Sequence, residues 1–165
     1  DKQIPVEHPV PGDTYTFGNA SFTVLSPSKE YKDNNNNSIV IRLTYGNTTF
    51  LMTGDAEEEA EEDMLSSGLP LSADVLKLGH HGSSSSTSDD FLSAVDPTWA
   101  VISCAEGNKY GHPHAETMNK LRAAGVSVFR TDEQGTITAT TDGTTITWNA
   151  SPSETWQTGE GRSSE

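Results

Sequence analysis

Two adjacent imidazoles, His80 and His81, stand at the end of an apolar run in the stretch Asp-Val-Leu-Lys-Leu-Gly-His-His-Gly-Ser, residues 74–83. Imidazole binds metals and transfers protons near neutral pH. The pair therefore offers two ligands, or one ligand and one acid–base group. Neighbouring side chains at a strand end point to opposite sides, so one histidine is expected to ligate metal and the other to meet substrate or move a proton. The spacing leaves open which is which. Gly82 removes bulk beside them, and Ser83 adds a hydroxyl and an N–H suited to an anionic oxygen.

Other donors sit where elements change. Asp55 follows an apolar strand in Thr53-Gly54-Asp55. A carboxylate there is suited to ligate or bridge metal ions, and equally to cap the helix that follows. His112 and His114 flank Pro113 before another helix; such a pair can chelate one ion, although His114 also reads as a surface residue of the first turn. Lys77 lies inside the strand, either as a cation for a substrate phosphate or with its stem packed and its head in water. Cys104, the only cysteine, excludes an internal disulfide and reads as a buried thiol at a strand end.

The elements that position these groups follow from pattern. Tyr15 to Leu25 reads as a hairpin around Gly18-Asn19, and Ser38 to Thr53 as a second around Gly46-Asn47. Residues 56–67 form a helix with acids in its first turn and Gly68 as its stop; its glutamate run reads as a solvated face. The strand at 74–78 delivers the histidines. A helix at 89–95, a strand at 99–103, a helix at 113–124 and a strand at 126–130 follow. Strands at 135–141 and 144–148 pair through Asp142-Gly143. Helices alternating with strands predict an α/β (α+β) fold, a mixed β-sheet with helices packed on it and flanking antiparallel hairpins. Residues 1–148 make one domain, and 149–165 read as a disordered polar tail.

Composition narrows the function. With a net charge of −14, the chain repels polyanions, which argues against general nucleic-acid binding. A pocket holding dications could still accept a phosphodiester. Hydrophobic content of 32% and a mean hydropathy of −0.56 allow a modest core. No apolar run reaches the roughly 18 residues of a membrane span. Asp1 in place of Met suggests a processed piece or a fragment.

Taken together, Thr53-Gly54-Asp55, His80-His81-Gly82-Ser83 and Tyr110-Gly111-His112-Pro113-His114 resemble the C-terminal metallo-β-lactamase-fold domain of the ComEC family of DNA-uptake proteins. The resemblance covers residues 11–142. It implies a metallo-β-lactamase-like half-sandwich, with Asp55 between two divalent metal ions, Zn or Mn, and with His80 and His112 as further ligands. His81 and Lys77 take the catalytic roles; Ser83, Asn37 and His114 contact substrate, and the run Asn34 to Asn37 before the hairpin stands where other members of the fold superfamily carry a ligand histidine. The reaction implied is phosphodiester hydrolysis of DNA, within a parent protein of the bacterial cell membrane whose domain of this type is soluble. The run His-x-His-x-Asp-His of the fold's first half does not occur in the chain, so the second half alone is expected. Such a half would bind metal weakly and leave a sheet face open to self-association. The competing readings are a non-catalytic module of the same fold, and an enzyme of the same fold acting on a phosphocholine ester or a lactam. Under the metal reading, Asp55, His80 or His81, and His112 must converge on one sheet edge.

Overall fold

Two short turns begin the architecture. Strand β1 (Thr14–Phe17) meets β2 (Ala20–Ser26) across Gly18-Asn19, and β3 (Val40–Tyr45) meets β4 (Thr48–Met52) across Gly46-Asn47. Both glycines have φ of 58°, the left-handed conformation that two-residue hairpin loops require. These four strands form an antiparallel meander. The computed structural model describes residues 4–159.

From β4 onward the sheet is parallel. Helix α1 (Glu58–Ser66) leads to β5 (Val75–Lys77), α2 (Asp89–Val95) to β6 (Trp99–Ile102), and α3 (Ala115–Ala123) to β7 (Ser127–Arg130). The seven strands lie in sequence order. Crossovers of one hand that advance in one direction place their helices on one face. Accordingly Ala60 and Met64 of α1, Phe91, Leu92 and Val95 of α2, and Met118 and Leu121 of α3 share one core with Leu51, Leu76, Ala100 and Val128 of the sheet. Each large apolar side chain buried there contributes about 1.5–3 kcal/mol. The fold is thus the mixed α/β sheet that the alternation predicts.

The opposite face carries Leu43, Phe50 and Val75 in one row and Ile41, Met52, Lys77, Val101 and Phe129 in the next. A second sheet, β8 (Ala139–Thr141) and β9 (Ile146–Trp148), covers one end of it. Trp148 stacks on Phe129 with ring centres 4.0 Å apart. The remainder is a cleft of about 400 Å³ lined by Leu43, Phe50, Met52, Lys77 and Val101.

Some boundaries move. The segment expected as a strand from Gly135 is extended only at 139–141, and a short helix, α4 (Thr131–Gln134), precedes it. Composition predicts no fold for the segment after Trp148, yet residues 149–159 are held in place. The wholly buried Arg130 guanidinium needs acceptors, which Asp132 and the Gln157 carbonyl provide. Ser153 bridges to β7, and the Gly159 N–H donates to the Pro113 carbonyl at 2.9 Å. Residues 160–165 of that tail lie outside the described residues.

Candidate functional site

The carboxyl ends of β4, β5 and β6 open onto one edge, the usual location of ligands in open α/β sheets. Three turns meet there. The His80 N–H donates to the Gly54 carbonyl at 3.2 Å, and the His114 N–H to the Gly82 carbonyl at 3.0 Å. Two glycines make the contact possible. A Cβ on Gly79 would lie 2.6 Å from the Ala56 carbonyl oxygen, and one on Gly82, whose φ is 82°, 2.9 Å from Pro113.

The histidine turn departs from expectation in a way that matters. His80 and His81 have φ of 43° and 59°. They occupy a left-handed turn, not a strand end, so strand alternation does not apply and both rings face the same space. Their centres are 6.1 Å apart, and His112 lies 5.4 Å from His80 and 6.0 Å from His81. Left-handed backbone outside glycine costs on the order of 1–3 kcal/mol per residue and clusters at functional sites.

Hydrogen bonds set the ring tautomers. His80 Nδ1 donates to Glu57 Oε1 at 2.8 Å, and His81 Nδ1 donates to the Ser103 carbonyl at 2.6 Å. Neither acceptor has a proton to give, so Nδ1 is the protonated nitrogen of each, and in the neutral ring Nε2 carries the lone pair. His81 Nε2 then stands 3.6 Å from Asp55 Oδ1. A lone pair facing a carboxylate is favourable only with a proton or a cation between them. His112 is buried, and its imidazole is pushed down to about 4 by loss of solvation and by the neighbouring His114, His80 and His81, with Asp55 opposing. It is a neutral donor at physiological pH.

The Lys77 ammonium stays at the edge, donating to the Leu78 carbonyl at 2.7 Å, and burial lowers its pKa against the pull of Asp55. His114 has both nitrogens occupied: Nδ1 accepts from the Ser84 N–H and Nε2 donates to the Tyr110 carbonyl. Ser83 is buried, its hydroxyl paired with Ser85 Oγ at 2.9 Å. Asn37 is bonded to Tyr31 and Asp33 and shapes its own loop. Asp55 does not cap α1; Glu57 holds the cap position, and Asn36 Oδ1 accepts from the N–H groups of Glu57 and Ala60. Cys104 is half-buried, its thiol pushed up to about 12 by burial, which suits a structural role. Among the described residues, no three or more His, Cys, Asp or Glu side chains are grouped so as to hold a metal ion. The donor set of Asp55, His80, His81 and His112 nonetheless has the chemistry of a Zn or Mn site.

Pattern reading missed three supports. Asn108 shapes the His112 loop, accepting from the N–H groups of Tyr110 and His112 and donating to the carbonyls of Ala105 and His112. Glu57 and Glu61, read as part of a solvated face, both turn inward. Glu61 is 1% exposed and accepts from the N–H groups of Thr87 and Ser88 at 2.6 and 2.8 Å. Glu61 lies one turn after Glu57 within an acidic run whose periodicity does not single either out, and Asn108 had no signal.

Fold and edge together define an α/β domain with a carboxylate–histidine cluster at the carboxyl end of a parallel sheet. No protein-family model matches the chain. It is 36% identical to ComE operon protein 3 of Bacillus subtilis over 138 residues, which are 83% of this chain and 18% of that protein. Competence protein ComA of Neisseria gonorrhoeae is 38% identical over 74% of the chain and 18% of its own length. Recombination protein 2 of Haemophilus influenzae is 36% identical over 70% of the chain and 15% of its own length. The chain is a ComEC-family segment, spanning under a fifth of each of these relatives.

Proposed function

We propose that this segment is half of a metallo-β-lactamase-type phosphodiesterase that acts on DNA during uptake, as part of a longer membrane protein. The carrying observation is the pair of histidines whose Nδ1 atoms are tied to fixed acceptors, with His81 Nε2 3.6 Å from Asp55 Oδ1 and the His112 ring 5.4 and 6.0 Å from those of His80 and His81. Metal-binding histidines are commonly oriented in this way. The competence name of the Neisseria gonorrhoeae relative supplies the setting. The relatives' greater length gives room for the remaining ligands and for membrane spans; among the described residues no helix is long and apolar enough to cross a membrane. The open apolar face of the sheet is suited to packing against the missing half of a sandwich.

In this reading Asp55, His80 and His112 hold one or two divalent ions, Zn or Mn. Bound there, the ions would supply Lewis acidity and counter the chain's negative charge. His81 is the more exposed of the pair, 46% by side chain. Its Nδ1 is fixed to Ser103, so Nε2 is the atom that takes or gives the proton. Lys77 offers a cation to a phosphate oxygen. A non-catalytic module remains the second reading, favoured by the lack of a preformed three-ligand group among the described residues.

The test is a nuclease assay with Mn²⁺ or Zn²⁺ on this chain and on a version extended upstream. The extended protein should cleave DNA and the chain alone should not. Asp55→Ala should abolish cleavage, and His81→Ala should slow it by about 10²–10⁴-fold. An extended protein that binds metal and stays inert favours the module.

A further inference from the structure

We infer that Glu57 is a positioning residue for His80, fixing the imidazole with Nδ1 protonated and Nε2 open. Glu57 sits at the N-terminal boundary of α1, where its N–H is held by Asn36 Oδ1 at 2.8 Å. Its side chain makes no capping bond to the helix and is only 18% exposed. It turns toward the histidine turn, where Oε1 accepts from His80 Nδ1 at 2.8 Å, from Ser85 Oγ at 2.7 Å and from Asn35 Nδ2 at 3.4 Å.

Three donors on one oxygen leave the carboxylate little freedom, and each comes from a different part of the chain. The asparagine run before β3 and the serine run after the histidines thus share a task, to seat Glu57. A carboxylate can only accept at neutral pH, which dictates the His80 tautomer. Glu58, Glu59 and Glu62 of the same run are exposed, and Glu61 is committed to backbone N–H groups. The contact also offsets part of the cost of the left-handed backbone at His80.

What the open nitrogen is for rests on the phosphodiesterase reading; the tautomer does not. The experiment is ¹⁵N imidazole NMR of the metal-free chain, above the pH at which histidine titrates, combined with Zn²⁺ titration. In the wild-type chain His80 should show the Nδ1–H form, a readout that needs no variant. Glu57→Ala should lose that form, whereas Glu57→Gln should keep it, because the amide oxygen still accepts. Zn²⁺ affinity should fall about 10–100-fold in Glu57→Ala and largely return in Glu57→Gln. Thermal melts confirm that the variants are folded. An Nε2–H form of His80 in the wild-type chain overturns the inference, as does an unchanged tautomer in a folded Glu57→Ala. A wild-type chain that binds no Zn²⁺ but shows the Nδ1–H form, lost in Glu57→Ala, overturns the metal reading and supports the positioning role.

Discussion

The two faces of the central sheet are built from the same strands and end differently. On one, Leu51, Leu76, Ala100 and Val128 are at most 1% exposed beneath three helices. On the other, the alternate residues are apolar apart from Lys77, yet Met52 is 42% exposed and the cleft from Leu43 to Val101 is open. Parallel strands are normally covered on both faces, and their near-continuous apolar sequence reflects that. The difference therefore lies in what is laid over the strands. One face is a finished core; the other has the composition of a core with a hairpin over one end. The candidate site occupies the edge at which both faces terminate, so its supports come from the finished side and its openness from the unfinished one.

The sharpest test substitutes one residue on each face of the adjacent strands β5 and β6. Leu76→Ala, on the covered face, should cost about 2–5 kcal/mol in urea unfolding, the range for a buried leucine that leaves a cavity. Val101→Ala, half-buried on the open face, should cost less than half of that. Equal losses would break the comparison. Next in size is Glu61→Ala. It leaves the Thr87 and Ser88 N–H groups without their acceptor, at about 1–3 kcal/mol each. Glu61→Gln should recover part of this, since its amide oxygen can serve one of the two; if it is no better than alanine, the N–H contacts are not what the carboxylate provides.

At the shared edge, His112 gives a pH signature. Its imidazole titrates near 6.5 when exposed and at about 4 in the folded chain. Between those values the unfolded chain takes up a proton that the folded chain refuses, so stability falls as pH drops from 6.5 toward 4 and levels below that. The amount is on the order of 1–3 kcal/mol. Urea midpoints of metal-free protein at pH 7, 5.5 and 4.5 measure it, and His112→Asn should flatten the profile. A wild-type profile already flat would mean that the ring is solvated.

Much of the covered face was legible, because period-2 strands, helix stops such as Gly68 and turn pairs such as Gly46-Asn47 are local signals. That Asp55, the His80-His81 pair and His112 share an edge also followed, since each ends or begins an element on the same side of the sheet. The direction of His80 and His81 did not. It depends on two left-handed residues that are not glycine, a conformation held by tertiary contacts with no sequence mark. Glu57 and Glu61 were hidden for a similar reason: within one acidic run, periodicity does not say which members face a neighbouring loop. Residues 149–159 were opaque because their partners are not local: Arg130 donates to the Gln157 carbonyl and Ser153 bridges to β7.

The smallest stability effect belongs to the open face and carries the clearest meaning. Met52 is in register with Ile41, Lys77 and Val101 and largely solvent-facing. Substitution by threonine keeps strand propensity and removes an exposed apolar side chain, so the monomer should change by no more than about 0.5 kcal/mol. Exposed apolar surface that is contiguous favours association, and Met52 adjoins Phe50, Val101 and the cleft. Sedimentation velocity over a concentration series should therefore show self-association in the wild-type chain and less in Met52→Thr, with Leu43→Thr adding to the effect. If the upstream-extended protein covers this face, the same substitution there should cost clearly more than in the chain alone, because the side chain would then be buried. An equal and negligible cost in both proteins would mean that nothing upstream packs on the open face.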